Sequence, residues 1–484
     1  MSKYLYGASV QGIQEFIFKT NKLQEIVGAS ETVKNISSNK YKIGEKKEAN
    51  PISFEDNFNP DTIIVNAAGN IKAVFHSQED CEDAVLEFPK MVMQNAYGIS
   101  ISQAVVTIEG DTPTQTELNE LEKNLKIQRN KPSIPLDMSI NLMKLNPSTA
   151  KPMVANEQDK ATAQKIAAYN QFLENNPRNK EFSDISSFSN SKNKIAVIHI
   201  DGNGLGKLIP ALKEKHNLEL SEFSSKLDTA TKKAFDDARD DTMSIRDIIL
   251  GGDDVTIICS ADDALSFTEK FLKNFEKETE DSFTKLTACA GIAFCNEKYP
   301  FHYAVSLAEE LCKVAKDHSR RESSALMFHN IQSSNFQSWK KFVEDELTIK
   351  SPIQKDEKKD TYRTIGCDFG AYYLHKQEGD VTIEDLIRTI EAYRCDGSPI
   401  SRLRNWLSEL YKNDKNAQNL LDRINKITQE KGKWNCKIMD KNLKFLDTKL
   451  SNDNLIIKKD GSEKTPIYDI LQVLSATSQQ GTNL

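Results

Sequence analysis

Three aspartates in two short segments carry the chemistry this chain can do. Asp253 and Asp254 stand side by side in Gly251-Gly252-Asp253-Asp254, and Asp201 opens Asp201-Gly202-Asn203-Gly204-Leu205-Gly206, 52 residues earlier (253 − 201). Clustered carboxylate oxygens are the ligands that hard cations take. One or two Mg²⁺ or Mn²⁺ ions held this way can clamp the oxygens of a nucleoside triphosphate during in-line phosphoryl transfer. Glycine and aspartate are also what any solvated turn prefers, so residue types alone do not decide the matter.

The flanking elements supply the positioning. Ile248 to Leu250 and Val255 to Cys259 are apolar runs joined by a Gly-Gly-led turn, which predicts a hairpin with Asp253 and Asp254 at its tip. Lys194 to Ile200 reads as a strand that ends at Asp201, with helix-forming residues resuming at Lys207. The glycines of the intervening loop let backbone amides approach a ligand. Gly202, Asn203, Gly204, Gly251 and Gly252 are therefore candidate nucleotide contacts. Asp201, Asp253 and Asp254 are the candidate catalytic and metal-holding set. A strand-end Asp beside a carboxylate hairpin on a neighbouring antiparallel strand is the arrangement of a palm domain.

These segments, in this order, together with Leu286-Thr-Ala-Cys-Ala-Gly-Ile-Ala293 and the helical run Ala304 to Lys316, resemble the palm domain of the large polymerase/cyclase subunit of type III CRISPR effectors. More distantly they resemble the GGDEF nucleotide cyclases. The resemblance is specific over about residues 194 to 332. It reaches the N-terminus, where Tyr4 to Phe18 and Asn21 to Ser30 look like the opening of the first palm domain of such subunits. It implies ATP as substrate, a cyclic di- or oligoadenylate as product, and a lysine, here Lys316, that can reach phosphates. It also implies an activating RNA or CRISPR-type protein partners. No His-Asp pair of a nuclease domain and no zinc-binding cysteine cluster between the palms is present, so the expectation is a compact version of the subunit.

An internal repeat points the same way. Lys3 to Ser9, the hairpin Thr62 to Phe75, the helix Glu82 to Gln94 and the strand Ile101 to Ile108 run parallel to Lys194 to Asp201, Ile248 to Cys259, Ala264 to Phe275 and Lys285 to Phe294. Each half reads as a βααββαβ ferredoxin-like unit, a superfold that by itself implies no function. Ser9 stands where Asp201 stands, and Gly69-Asn70 where Asp253-Asp254 stand, so the first unit lacks metal ligands. The expected fold is α+β, with two ferredoxin-like palms forming a pseudo-dimer followed by a helical domain. The expected boundaries are a degenerate first palm at 1–112, a helical linker region at 113–193, the second palm at 194–332 and a helical C-terminal domain at 333–484. Ser9, Gln11 and Gly12 are the candidate contacts to a second nucleotide.

Composition narrows the partners. A net charge of −7 does not suit a protein built to neutralise a nucleic-acid backbone. The lysines of Lys40 to Lys47 and Lys355 to Lys359 read as solvated loops. No apolar run approaches the roughly 18 residues of a membrane span, and Met1-Ser2-Lys3 does not open a signal peptide, so a cytoplasmic protein without a membrane partner is expected. The 8 cysteines include no Cys-x-x-Cys pair and read as reduced thiols, Cys289 and Cys295 among the core residues. His199 reads as a core residue beneath the site, Asp262 and Asp263 as caps of the following helix, and Arg320 and Arg321 as loop residues. Two functions of different class remain: a metal-dependent nucleotidyltransferase or cyclase in antiviral defence, and a non-catalytic palm scaffold that binds nucleotide or a partner. Three acids that repel one another without a metal favour the enzyme. A template-dependent polymerase ranks lower, because the acidic balance offers no duplex channel.

Overall fold

The computed structural model describes residues 3–37, 42–43, 46–47, 52–67, 69–131, 142–155, 158–176, 181–182, 184–212, 218–332, 338–356, 359–375, 381–394, 398–431, 455–459 and 461–478. Ala68 in the first hairpin turn and Lys40 and Lys358 of the two lysine clusters lie outside the described residues. The chain divides into two compact units. Residues 1–187, 205–231 and 248–252 form one, and 188–204, 232–247 and 253–484 the other.

The first unit is built on β1 (Lys3–Gln11), α1 (Ile13–Phe18), α2 (Leu23–Ile36), β2 (Thr62–Ala67), β3 (Asn70–Phe75), α3 (Gln78–Asn95) and β4 (Ser100–Ile108). The strands pair antiparallel in the order β2-β3-β1-β4, the order of a split βαβ sheet. Alternation along β1 sends side chains to two layers. Leu5 joins Val74, Val106 and Ile108 against Leu121 and Leu125 of α4 (Gln115–Arg129). Tyr6 faces the other way and stacks on Phe54 at 5.4 Å. Thr114 and Glu117 close a capping box that fixes where α4 starts. The helix approaches β1 closely enough that a Cβ at Gly7 would lie 2.8 Å from Leu121. A further helix, α5 (Lys160–Asn175), packs on α2, where Gly28 leaves room for the Lys165 carbonyl.

The second half repeats the order. Its sheet runs β6-β7-β5-β8-β9-β12, with β5 (Lys194–Gly202), β6 (Ile245–Gly251), β7 (Asp254–Ser260), β8 (Ala288–Asn296) and β9 (Ala325–Asn330). The strand β12 (Tyr372–Tyr373) closes its edge. Helices α6 (Leu220–Ala238) and α7 (Ala264–Ser282) precede and follow the hairpin, and α8 (Phe301–His318) connects β8 to β9. Helix α7 repeats Phe267, Phe271 and Phe275 at i, i+4 and i+8. All three are buried, with neighbouring rings 6.1 Å apart, and each such burial contributes about 1.5–3 kcal/mol. Strand β5 is central, and Ile195 to Ile198 and Ile200 are buried on both of its faces. Helix α8 lies almost on β8. A Cβ at Gly291 would meet the Ala308 carbonyl oxygen at 1.9 Å, so only glycine fits there.

The expectation of a helical domain over residues 333–484 is met only in part. It does hold helices α9 (Trp339–Glu346), α10 (Ile383–Arg394), α11 (Ile400–Leu410), α12 (Asp414–Lys431) and α13 (Ile467–Ala476). It also holds a four-stranded sheet of β10 (Thr348–Asp356), β11 (Lys359–Gly366), β13 (Ile457–Lys459) and β14 (Ser462–Lys464), in the order β10-β11-β14-β13. These strands are rich in Lys, Asp, Thr and Ser, so hydrophobic periodicity does not announce them. Among the described residues no helix is long and apolar enough to cross a membrane.

Candidate functional site

The carboxylates meet because β5 and β7 are neighbours in register. Asp201 and Asp254 are directly paired Cα partners across the antiparallel ladder, and Cys289 of β8 faces Asp201 from the other side. Gly252 turns the hairpin with φ of 60°, which fits the first central position of a type II′ turn and which β-carbon-bearing residues resist. Thr231 Oγ1 donates to the Gly252 carbonyl at 2.5 Å and steadies the tip. Gly202 N donates to the Asp253 carbonyl at 3.3 Å, tying the end of β5 to the turn.

The electrostatics are those of crowded acids. Burial, then the charge of Asp201, pushes the Asp253 carboxyl up to about 6. Burial, then Asp201 and Asp253, pushes Asp254 up to about 7. Asp254 keeps 49% of its side-chain surface open, yet its Oδ1 is buried and accepts no hydrogen bond. His199 lies beneath it, with Nδ1 3.6 Å from that oxygen and 3.3 Å from Thr256 Oγ1. Burial lowers the imidazole to about 4, so it is neutral at pH 7 and leaves the acids uncompensated.

One cation does enter. Lys316 on α8 is 5% exposed, and its Nζ lies 2.7 Å from Asp201 Oδ2 and 2.8 Å from the Gly202 carbonyl oxygen. The sequence singled it out as a phosphate contact; its ammonium points into the floor of the site. Asn203 likewise serves the loop. Its Nδ2 donates to Thr287 Oγ1, Cys289 Sγ and the Ser323 carbonyl, while its Oδ1 is buried without a partner. Gly204 has φ of 77° and open space around its α-carbon, as does Gly12 at 61°. Asp262 and Asp263 do not cap α7 through their side chains. Asp263 Oδ2 accepts from Ser244 N, and Asp262 Oδ1 accepts from Asn190 Nδ2 and Ser478 N.

Among the described residues no three His, Cys, Asp or Glu side chains gather tightly enough to cage a metal as they stand. The donor set still fits Mg²⁺ or Mn²⁺. The oxygens are hard, one is buried and orphaned, and the acids repel one another. Mg²⁺ is commonly held by one or two carboxylates, with waters and substrate phosphates completing its shell.

The first unit presents the same register with other residues. Ser9 pairs with Asn70 on one side and Ser102 on the other. Ser9 Oγ donates to Asn70 Oδ1 at 2.8 Å, and Gln11 Nε2 is folded back onto the Ser9 carbonyl. Arg129, at the end of α4, donates from Nη2 to Ser9 Oγ at 2.8 Å. Sequence reasoning missed Arg129, although a signal was present. It follows Ser102 by 27 residues (129 − 102), and Lys316 follows Cys289 by 27 (316 − 289). A cavity of about 640 Å³ opens beside β4, lined by Gln11, Ser102, Gln103, Arg129 and Lys131 among others, with no carboxylate in its described wall.

Comparison with known proteins agrees with this geometry. Residues 194–325 match the model of the Cas10/Cmr2 second palm domain. No curated protein sequence matches the chain significantly. The fold is shared with Csm1 in T. onnurineus, at 14% identity and a TM-score of 0.53, over 98% of this chain and 69% of that one. It is also shared with a chain of the Csm1-Csm4 cassette in complex with cA4, at 14% identity and a TM-score of 0.52, over 98% and 70%. Against the cassette in complex with AMPPNP, where the TM-score is 0.49, the chain spans 64% of its counterpart's length at 14% identity. Residues 194–325 thus resemble a second palm domain of the Cas10/Cmr2 type, carried in a chain that shares its fold with Csm1.

Proposed function

We propose that the protein is a metal-dependent nucleotidyltransferase or cyclase that joins ATP into a cyclic oligoadenylate, with Asp201, Asp253 and Asp254 as its acidic centre. The observation that carries this reading is the direct pairing of Asp201 with Asp254 beside a buried carboxylate oxygen that has no partner. Bound Mg²⁺ or Mn²⁺ would supply charge neutralisation at the triphosphate and activation of the attacking ribose hydroxyl. The chain's own residues do the rest. Asp253 and Asp254 hold negative charge on a rigid turn, Gly202 and Gly204 let the backbone come close to phosphate, and neutral His199 packs under the acids without competing for them. The internal repeat supports the finer fold reading of two palms in pseudo-dimer, with a second nucleotide at Ser9, Gln11 and Gly12. The shared fold with Csm1-Csm4 cassettes solved with cA4 and with pppApA supports the substrate class and a Csm4-like partner; an activating RNA enters the proposal only as what the sequence resemblance implies.

The test is incubation with each NTP and Mg²⁺ or Mn²⁺, followed by mass spectrometry, with Asp253→Asn/Asp254→Asn as control. Adenylate oligomers that vanish in the variant support the enzyme. A second reading, a nucleotide- or partner-binding scaffold, draws on the ion pair that already occupies Asp201. It takes over if no NTP is consumed under any metal, RNA or partner condition.

A further inference from the structure

The Lys316 ammonium occupies a place with the features of a cation site. It touches one carboxylate oxygen and one backbone carbonyl oxygen at 2.7 and 2.8 Å, is buried, and belongs to a helix pinned to the sheet through Gly291. The lysine is shielded from water while the Asp201 side chain keeps 41% of its surface open, so the pair is held by a buried ammonium against a half-open carboxylate. It also leaves Asp201 with only Oδ1 clear of the lysine. A divalent ion approaching Asp201 would meet a fixed positive charge across a single carboxylate, and like charges a few ångströms apart in a poorly solvated site repel strongly.

We propose that Lys316 is a resident cation that stands in for metal at Asp201, so that the acidic centre refuses a bare divalent ion and accepts one only together with a polyanion. This rests on the reading of the acids as a metal centre. The polyanion that qualifies is a triphosphate, whose negative charge gives the ammonium a new partner and offsets the repulsion between ammonium and metal. The cost of loosening the Lys316–Asp201 pair is then met by the substrate itself. Lys316 is a positioning residue in this scheme: it decides when Asp201 becomes a ligand.

The inference turns on a sign that ordinary structural damage would not produce. Binding of Mn²⁺ without nucleotide, read as loss of the free-ion paramagnetic resonance signal, should tighten by at least about tenfold in Lys316→Met and Lys316→Gln. Lys316→Arg, which keeps the charge, should stay weak. Circular dichroism and thermal melting establish that each variant is folded. Metal affinity that is unchanged or weaker in folded Met and Gln variants overturns the proposal. Should those variants fail to fold, the native protein decides: after subtraction of the Mn²⁺ that each nucleotide chelates in a protein-free control, the Mn²⁺ retained by the protein must rise with AMPPNP far more than with AMP, and equal retention, or full retention without nucleotide, overturns it. Failure of the underlying reading looks different. In that case the native protein with AMPPNP binds no Mn²⁺ in a way that Asp254→Asn removes.

Discussion

Two places in this molecule share one backbone plan and differ in charge. At the end of the first strand of each sheet, Ser9 faces Asn70 where Asp201 faces Asp254. Each receives a cation from the helix that follows the fourth strand, Arg129 at 2.8 Å in the first and Lys316 at 2.7 Å in the second. In the second unit the cation is neutralised by its acid and two further acids remain. In the first, an alcohol and an amide replace the acids, and Arg129 meets no carboxylate in the described wall of the neighbouring cavity. One scaffold thereby carries an excess of acids at this position, the other an arginine without an acid in the described wall. Changes of side-chain class at both partners of one ladder pair, Ser9 with Asn70 against Asp201 with Asp254, separate the two.

The comparison breaks most sharply at the acids. Asp253→Asn with Asp254→Asn should lower nucleotide turnover by about a thousandfold or more, as loss of charge stabilisation at a reacting phosphate does. The metal-free melting temperature should stay level or rise, because mutual repulsion is relieved. Retained turnover would remove the distinction between the two sites. Next comes the opposite charge. Arg129→Ala should weaken the binding of a non-hydrolysable ATP analogue at the first unit by about tenfold and leave the Asp253-Asp254 site nearly intact, so that calorimetry goes from two sites toward one. A single site in both proteins would make the first unit a scaffold only.

The pH response separates the sites more finely. Asp253 and Asp254 have folded values raised to about 6 and 7, above the ordinary carboxylate value of 3.8. Between pH 4 and 7 the folded state therefore holds more protons than the unfolded one, and stability declines as pH rises through that window. In chelator, the native melting temperature minus that of the Asp253→Asn/Asp254→Asn variant should fall from pH 4 to 8, because His199 and His329, lowered by burial to about 4 and 3, act with the opposite sign but in both proteins. A difference that does not change with pH removes the two acids as its source. The smallest effect is expected from Ser9→Asp, which recreates the Asp201 arrangement beside Arg129. Because position 9 is buried, desolvation of the new carboxylate offsets its attraction to Arg129 and leaves a net change within about 1 kcal/mol, visible as a small shift in melting temperature together with loss of anion binding. If anion binding persists, Arg129 is not its source.

Much of this was legible in the chain. The hairpin at Gly251 to Asp254, the strand ending at Asp201 and the correspondence of Ser9 with Asp201 follow from alternation, glycine position and the repeat, all local signals. The partner of Lys316 was not, because the helical pattern places its side chain on a face without saying what lies opposite. That depends on how close α8 sits to β8. The strand β9, a short apolar run, and the polar hairpin β10-β11 were also invisible. The first carries no period-2 pattern, and the second is written mostly in Lys, Asp, Thr and Ser.

Gly291 gives that closeness a meaning of its own. The helix rests on the sheet where a missing methyl lets it, with the Ala308 carbonyl 1.9 Å from where a β-carbon would be. Lys316 sits two turns farther along the same rigid rod. The absent side chain therefore acts as a gauge block: it sets the height from which a lysine reaches down to Asp201. Any residue larger than hydrogen at position 291 would raise the helix and shorten that reach. The charge state of the acidic centre is thus calibrated from the packed interior, by an atom that is not there.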